Sequence, residues 1–224
     1  RIHQVHRPVT IAATIDRKPS AFVDQAAVAA APSRAETAVA VHGLVKRFKT
    51  GAPVIDGLNL AIDAGSRIAV IGANGTGKST FVRMLVRLVE PDAGVISVLG
   101  SDVRQLDARR LRSLRARVGF VFQRHNLVTR LSALSNVIHG AQGRVSGPRT
   151  WLQALSPRHL REEAMDCLDR VGLADKALSR VDTLSGGQSQ RVAVARMLMQ
   201  QPTLVIADEP DASLDPKSGE EVMA

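Results

Sequence analysis

Apolar residues follow two rhythms along this chain. Ile68-Ala69-Val70-Ile71, Val118-Gly119-Phe120-Val121-Phe122 and Leu204-Val205-Ile206-Ala207 are short, mostly β-branched runs without polar alternation. That pattern predicts strands buried on both faces, as in a parallel sheet. After the first run, Ser79-Thr80 opens a stretch in which Phe81, Met84, Leu85 and Leu88 recur at helical spacing. A second amphipathic helix is predicted from about His159 to Val171, with Leu160, Ala164, Cys167, Leu168 and Val171 on one face. Strands alternating with helices from Ile68 to Asp208 predict an α/β fold with a parallel-sheet core. The stretch 38–62 reads instead as an antiparallel strand layer around the turn Lys49-Thr50-Gly51-Ala52-Pro53. Residues 124–200 read as an α-helical lobe, with Gly and Pro clustered between Gly140 and Pro157. Trp151, the only tryptophan, falls in that cluster, where packing under the loop and contact with a partner are both open. Residues 1–37 are rich in Ala, Pro and Arg without periodicity and predict a disordered or vestigial extension, so the folded domain is expected over 38–224. The extension has no apolar core of the kind an export signal needs.

The chemistry begins where the first strand ends. Gly72-Ala73-Asn74-Gly75-Thr76-Gly77-Lys78-Ser79 has the form GxxxxGK[ST] of a phosphate-binding loop. Gly72, Gly75 and Gly77 let the backbone turn tightly and bring N–H groups close to an anion. The helix that follows presents its partially positive end to the same anion. Lys78 is placed to reach the β- and γ-phosphates and the Ser79 hydroxyl to ligate Mg²⁺, while Asn74, Thr76 and Thr80 complete the nucleotide-binding segment. The third apolar run ends in Asp208-Glu209-Pro210. An apolar strand delivering two carboxylates suits Mg²⁺-assisted hydrolysis, with Asp208 holding the metal and Glu209 polarising the attacking water. Pro210 ends the strand and frees Glu209 to turn toward the γ-phosphate. A third glycine-rich segment, Leu184-Ser185-Gly186-Gly187-Gln188, stands before a helix that starts near Gln188. Ser185 offers a hydroxyl, and Gly186 and Gly187 admit close backbone approach.

Charge adds one question. The 224 residues carry a net charge of +9, with arginine far ahead of lysine. The densest basic run, from Arg104 to Arg117, lies on a predicted helix without interleaved aromatics for base stacking, so it reads as a solvated face with membrane proximity as a further role. No nucleic-acid partner is expected. The six histidines lack zinc-ligand spacing. Single Cys167 suits a reducing compartment and reads as a small core residue. No run has the length of a membrane span.

Taken with the phosphate loop and the acidic strand end, Leu184–Gln188 makes the chain resemble the nucleotide-binding subunits of ABC transporters, from about Ala38 to the end of the chain. The resemblance implies a P-loop NTPase core, an N-terminal antiparallel layer and a helical lobe carrying the signature. It also implies that Ser185, Gly186, Gly187 and Gln188 cap the γ-phosphate of ATP held by a second subunit, so that the chain works as a dimer, most simply a homodimer. Phe48 stands where the family stacks an aromatic on adenine, with a core aromatic beside a hairpin as the other reading of that residue. Gln123 matches the glutamine that contacts Mg²⁺ or the water and relays the nucleotide state to the membrane subunit. Ser213-Leu214-Asp215 resembles the loop that crosses the dimer interface, although Asp211 departs from the apolar or small residue common there. Permease subunits, and through them an external or periplasmic substrate-binding protein, are the implied partners, and the cytoplasmic face of the cell membrane the implied location. Phe122 to Val128, Arg130-Leu131-Ser132, Asn136-Val137, the stretch from Val171 through the signature, and Ala212 to Ser218 resemble the phosphonate-import branch. The family also places a histidine on a strand beyond the acidic motif, whereas this chain stops at Ala224. The expectation is therefore a chain lacking its C-terminal end that binds ATP better than it turns it over. A soluble ABC-type ATPase acting on nucleic acid or ribosomes, and a non-catalytic nucleotide-binding remnant, are the alternatives.

Overall fold

The computed structural model describes residues 9–13, 36–48, 51–71, 75–121, 126–145 and 153–208. The chain divides into two compact units, residues 1–114 and 115–224.

In the first unit, β2 (Thr37–Lys46), β3 (Ile55–Asp63), β5 (Ala93–Val98) and β6 (Ser101–Asp102) form an antiparallel sheet in the order β3-β2-β5-β6. Val39 and Val41 point inward with the period of two that a strand imposes, and both are fully buried. The register then shifts between Val41 and Leu44, where Gly43 has φ 56°. This bulge carries one extra residue and returns Leu44 to the buried face. The expected antiparallel layer is thus present, and β5 and β6, which the sequence reading leaves unassigned, extend it. Gly94 makes the β2–β5 approach possible: a Cβ there would stand 2.6 Å from the Gly43 oxygen and from Leu44 Cα. The phosphate-loop strand, β4 (Arg67–Val70), is paired in parallel with β1 (Val9–Ala13), Thr10 opposite Arg67 and Ala13 opposite Val70. A strand therefore lies within a segment that the sequence reading leaves without any element. Its run Val9-Thr10-Ile11 is β-branched, but too short for a periodicity argument.

Helix α1 (Lys78–Leu85) lies against β5 and buries Phe81, Val82, Met84 and Leu85. Leu88, expected on the same face, is half exposed. The helix has already ended at Leu85, and Arg87 takes φ 52°, which turns the chain away. The Arg87 guanidinium fixes that turn, donating to Glu90 Oε1 and to the Leu106 carbonyl, each at 2.6 Å. Helix α2 (Ala108–Arg117) buries only Leu114 and leaves Arg109, Arg110, Arg112 and Arg117 exposed, the solvated basic face expected of it.

The second unit pairs β7 (Val118–Val121) in parallel with β8 (Leu204–Ala207), Val118 opposite Leu204 and Val121 opposite Ala207. Between them run α3 (Ala133–Ile138), α4 (Arg158–Asp169) and α5 (Gly186–Gln200). Their apolar faces meet in one core containing Leu134, Val137, Ile138, Leu160, Leu168, Val192 and Met199. The predicted stripe of α4 holds: Leu160, Ala164, Cys167 and Leu168 are buried, and Val171 packs at the margin after the helix has ended. Close approach is again made by a glycine, since a Cβ on Gly140 would lie 2.2 Å from the Arg196 carbonyl oxygen. Asn136, fully buried, holds the segment before α3: its Oδ1 accepts from Val128 N at 2.8 Å, and its Nδ2 donates to Val128 O and Ser132 O at 3.0 Å.

Candidate functional site

The glycine-rich turn delivers Lys78 to the first position of α1. Gly75 and Gly77 have φ 84° and 97°, the left-handed region that side chains with a Cβ rarely enter. Gly77 is the N-cap of α1, and without a side chain it offers the helix start no cap. No acidic residue lies in the first turn either. Gly77 thus supplies no side-chain cap at the start of α1, a setting that suits an anion in the place of a cap. Lys78 is only 5% exposed, while Ser79 and Thr80 are half-buried. Gly72 and Asn74 lie outside the described residues.

The start of β3 braces this turn. A Cβ on Gly77 would stand 2.8 Å from Val54 Cγ1 and 3.1 Å from the Val54 oxygen. Val54 in turn donates its N–H to the Lys46 carbonyl at 2.8 Å, closing the β2–β3 hairpin. The phosphate turn and the end of β2 are thus tied through one residue that sequence reasoning misses. Two residues beyond Lys46 stands Phe48, 52% exposed. The alternative of a core aromatic does not fit that exposure. The Lys46 ammonium lies 5.3 Å from the ring centroid, within cation–π range. It also pairs with Asp92 Oδ1 at 2.9 Å, while Asp92 Oδ2 accepts from the Arg47 amide at 2.6 Å. That amide and the Lys46 ammonium hold the Asp92 carboxyl below its ordinary range, the amide first. Asp92 has no local sequence signal, since its partners are 45 and 46 residues away.

In the second unit, Leu184–Gln188 is a capped helix start. Ser185 Oγ accepts from Gln188 N at 3.2 Å, and the Ser185 N–H donates to Gln188 Oε1 at 2.9 Å. This reciprocal capping box starts α5 at Gly186 rather than near Gln188, because Gln188 is the third residue whose amide closes the box. Accepting that bond uses one lone pair of the Ser185 hydroxyl and leaves its O–H to donate. Ser185 and Gly186 are exposed and Gly187 half-buried, so the glycine edge is accessible. Farther along α5, Arg196 donates to the Asn126 carbonyl at 2.8 Å, and burial lowers its pKa. In the same unit Asp208, 1% exposed, follows β8, with its N–H donating to the Val121 carbonyl at 2.9 Å. Gln123, Glu209, Trp151 and Ser213–Asp215 lie outside the described residues. Among the described residues no cluster of three His, Cys, Asp or Glu side chains could hold a metal, and no helix is long and apolar enough to cross a membrane.

Comparison with known proteins agrees with these features. The phosphonates import ATP-binding protein PhnC of Nitratidesulfovibrio vulgaris is 46% identical over 193 residues, 86% of this chain and 72% of that protein. The protein of the same name from Frankia casuarinae is 48% identical over 84% of this chain and 73% of its own length. The phosphate-import ATP-binding protein PhnC of Mycolicibacterium smegmatis is 49% identical over 84% and 71%. Among solved structures, a dimeric bacterial ABC transporter cassette superposes with a TM-score of 0.74 at 33% identity, covering 83% of this chain and 79% of the cassette. A dimeric post-hydrolysis ATP-binding cassette bound to ADP and Pi gives 0.73 at 34% identity over the same shares. The ABC transporter family profile matches residues 55–212, from the first residue of β3 to beyond the acidic strand end. With one profile running through the phosphate turn, the capped helix and Asp208, and relatives similar over most of their length, this chain belongs to the ABC transporter family.

Proposed function

We propose that this chain is the ATP-binding and ATP-hydrolysing subunit of an importer for phosphonates or related organophosphorus anions. It works as a pair on the cytoplasmic face of the membrane against permease subunits fed by a substrate-binding protein. Lys78 carries the reading: a nearly buried lysine at the first position of a helix whose N-cap is a left-handed glycine without a side-chain cap. That arrangement suits the β- and γ-phosphates of a nucleotide. Phe48 stacks the adenine. The turn residues Gly72, Asn74, Gly75, Thr76, Gly77 and Thr80 enclose the phosphates, and Ser185, Gly186, Gly187 and Gln188 cap the γ-phosphate held by the other subunit. Glu209 takes a proton from the attacking water.

Mg²⁺ would be held by hard oxygen ligands of the kind that ion takes, the Ser79 hydroxyl, the Asp208 carboxylate and the Gln123 amide oxygen. When bound, Mg²⁺ supplies charge neutralisation on the phosphates. Lys78 meets the negative charge that builds on the γ-phosphate, and a closed subunit pair excludes bulk water while Glu209 acts. The names of the relatives favour import over action on nucleic acid.

Phosphate is a second substrate reading, because the relative at 49% identity is named for phosphate import. Uptake of radiolabelled methylphosphonate and of phosphate by cells lacking this chain decides between them. Loss of phosphonate uptake, restored by the wild type and not by Glu209→Gln, is the expected result. Loss of phosphate uptake alone selects the second reading, and unchanged uptake of both contradicts the importer.

A further inference from the structure

Phe48 stands two residues beyond the end of β2, and an exposed ring just past a strand end is a poor stacking platform unless something fixes it. Three contacts do so. The Asp92 carboxylate takes the backbone N–H of Arg47, the residue immediately before Phe48, on one oxygen and the Lys46 ammonium on the other. The ammonium so anchored lies 5.3 Å from the Phe48 centroid. Asp92 itself is fixed by its N–H donating to the Val45 carbonyl at 3.0 Å, and by Gly94, whose missing Cβ lets β5 press against Gly43 and Leu44. The brace then continues from the Lys46 carbonyl through Val54 to Gly77.

We infer that Asp92 and Lys46 are positioning residues for the base of the nucleotide: Asp92 locks the Arg47 backbone and the Lys46 ammonium, and that ammonium occupies one face of Phe48 so that the other is presented to adenine. The inference rests on the proposed ATP site and adds to it the residues that set the platform. The depressed carboxyl pKa agrees, since it reflects the same two donors acting on the ionised form. Because Asp92 is 44% exposed, solvent screens the pair, and the lock acts through geometry more than through charge. Neither residue contacts phosphate in this scheme, so removing either weakens recognition of the base and spares that of the triphosphate.

The test is titration calorimetry of ATP and of inorganic tripolyphosphate, which has no base, against the full chain and its Asp92→Ala, Asp92→Asn, Lys46→Met and Phe48→Ala variants. Phe48→Ala should weaken ATP about tenfold. Asp92→Ala and Lys46→Met should each weaken ATP about two- to fivefold. Asp92→Asn keeps an acceptor for the Arg47 amide and should fall between Asp92→Ala and the wild type. Tripolyphosphate affinity should be the same in all five proteins, with unchanged melting temperatures. Equal losses for ATP and tripolyphosphate, or ATP affinity unchanged in Asp92→Ala and Lys46→Met, overturn the inference while the ATP site stands. A wild-type chain that binds tripolyphosphate and ATP equally well removes the base platform altogether. One that binds neither overturns the functional reading and this inference with it.

Discussion

Gly77→Ala is the sharpest perturbation of the phosphate turn, because two separate costs can be worked out for it. Gly77 has φ 97° and ψ 6°, and placing an L side chain in left-handed backbone costs about 1–2 kcal/mol. The added Cβ would also lie 2.8 Å from Val54 Cγ1 and 3.1 Å from the Val54 oxygen. Carbon atoms rest at about 3.5–4.0 Å, so the turn or β3 must give by roughly 0.7 Å or more. Overpacking of this kind costs about 1–3 kcal/mol. The two together come to about 2–5 kcal/mol. If the empty turn relaxes, the penalty falls on binding, where its lower bound is about a thirtyfold loss of ATP affinity. If it does not relax, the penalty falls on folding. Calorimetric titration of ATP and urea unfolding of the same sample therefore measure the sum. Adding Val54→Ala removes the methyl groups, but not the carbonyl, from the path of the new Cβ. The double variant should recover part of the loss and retain the backbone part, about five- to thirtyfold in affinity. A single variant equal to the wild type in both assays, or a double variant no better than the single one, refutes the reasoning.

Three further outcomes follow from the second unit. Asn136→Leu removes the buried side chain that accepts from the Val128 N–H and donates to the Val128 and Ser132 carbonyls, and should cost about 1–3 kcal/mol in urea unfolding. Ser185→Ala breaks the capping box and should lower stability by about 1 kcal/mol, with Ser185→Thr retaining most of it in the same assay. Burial, and then the nearby Glu163 carboxylate, raises the Cys167 thiol pKa above its ordinary value. The native state therefore holds its proton at a pH where the unfolded chain releases it. That contribution is complete below the ordinary thiol pKa and is lost as pH rises through the raised one. Wild-type stability should fall more steeply than that of Cys167→Ala on the alkaline side, measured by urea unfolding across pH.

Where the sequence was legible, one local rule sufficed. Strands β7 and β8 are largely buried apolar runs, and the buried stripe of α4 is a simple helical period. By contrast, β4 forms as a strand without the two-sided burial expected of its run: Ala69 and Ile71 are exposed, and Ile68 and Val70 are only half-buried. The glycines of the phosphate turn were readable because only left-handed backbone demands them, and both described ones, Gly75 and Gly77, adopt it. What escaped depended on distant partners or on end effects. Asp92, Val54 and the extension of the sheet by β5 and β6 are set by contacts across tens of residues that no window spans. Leu88 kept the helical period but fell past the helix end, because Arg87 turns the chain there. Helix α5 starts at Gly186 rather than near Gln188, because Ser185 and Gln188 have the spacing of a capping box and that box sets the helix end. Strand β1 lies in a stretch whose composition favours disorder, and it is specified by pairing with β4 rather than by its own pattern.

The central claim is that two copies of this chain enclose ATP and that Glu209 then activates water. Light scattering on Glu209→Gln, with and without Mg-ATP, tests it most directly, because removing the base should trap the closed pair without impairing binding. The account predicts a monomer without nucleotide and a dimer with Mg-ATP, and no dimer when Lys78→Ala is added. A Glu209→Gln chain that binds ATP in a parallel titration yet stays monomeric at saturation would contradict it.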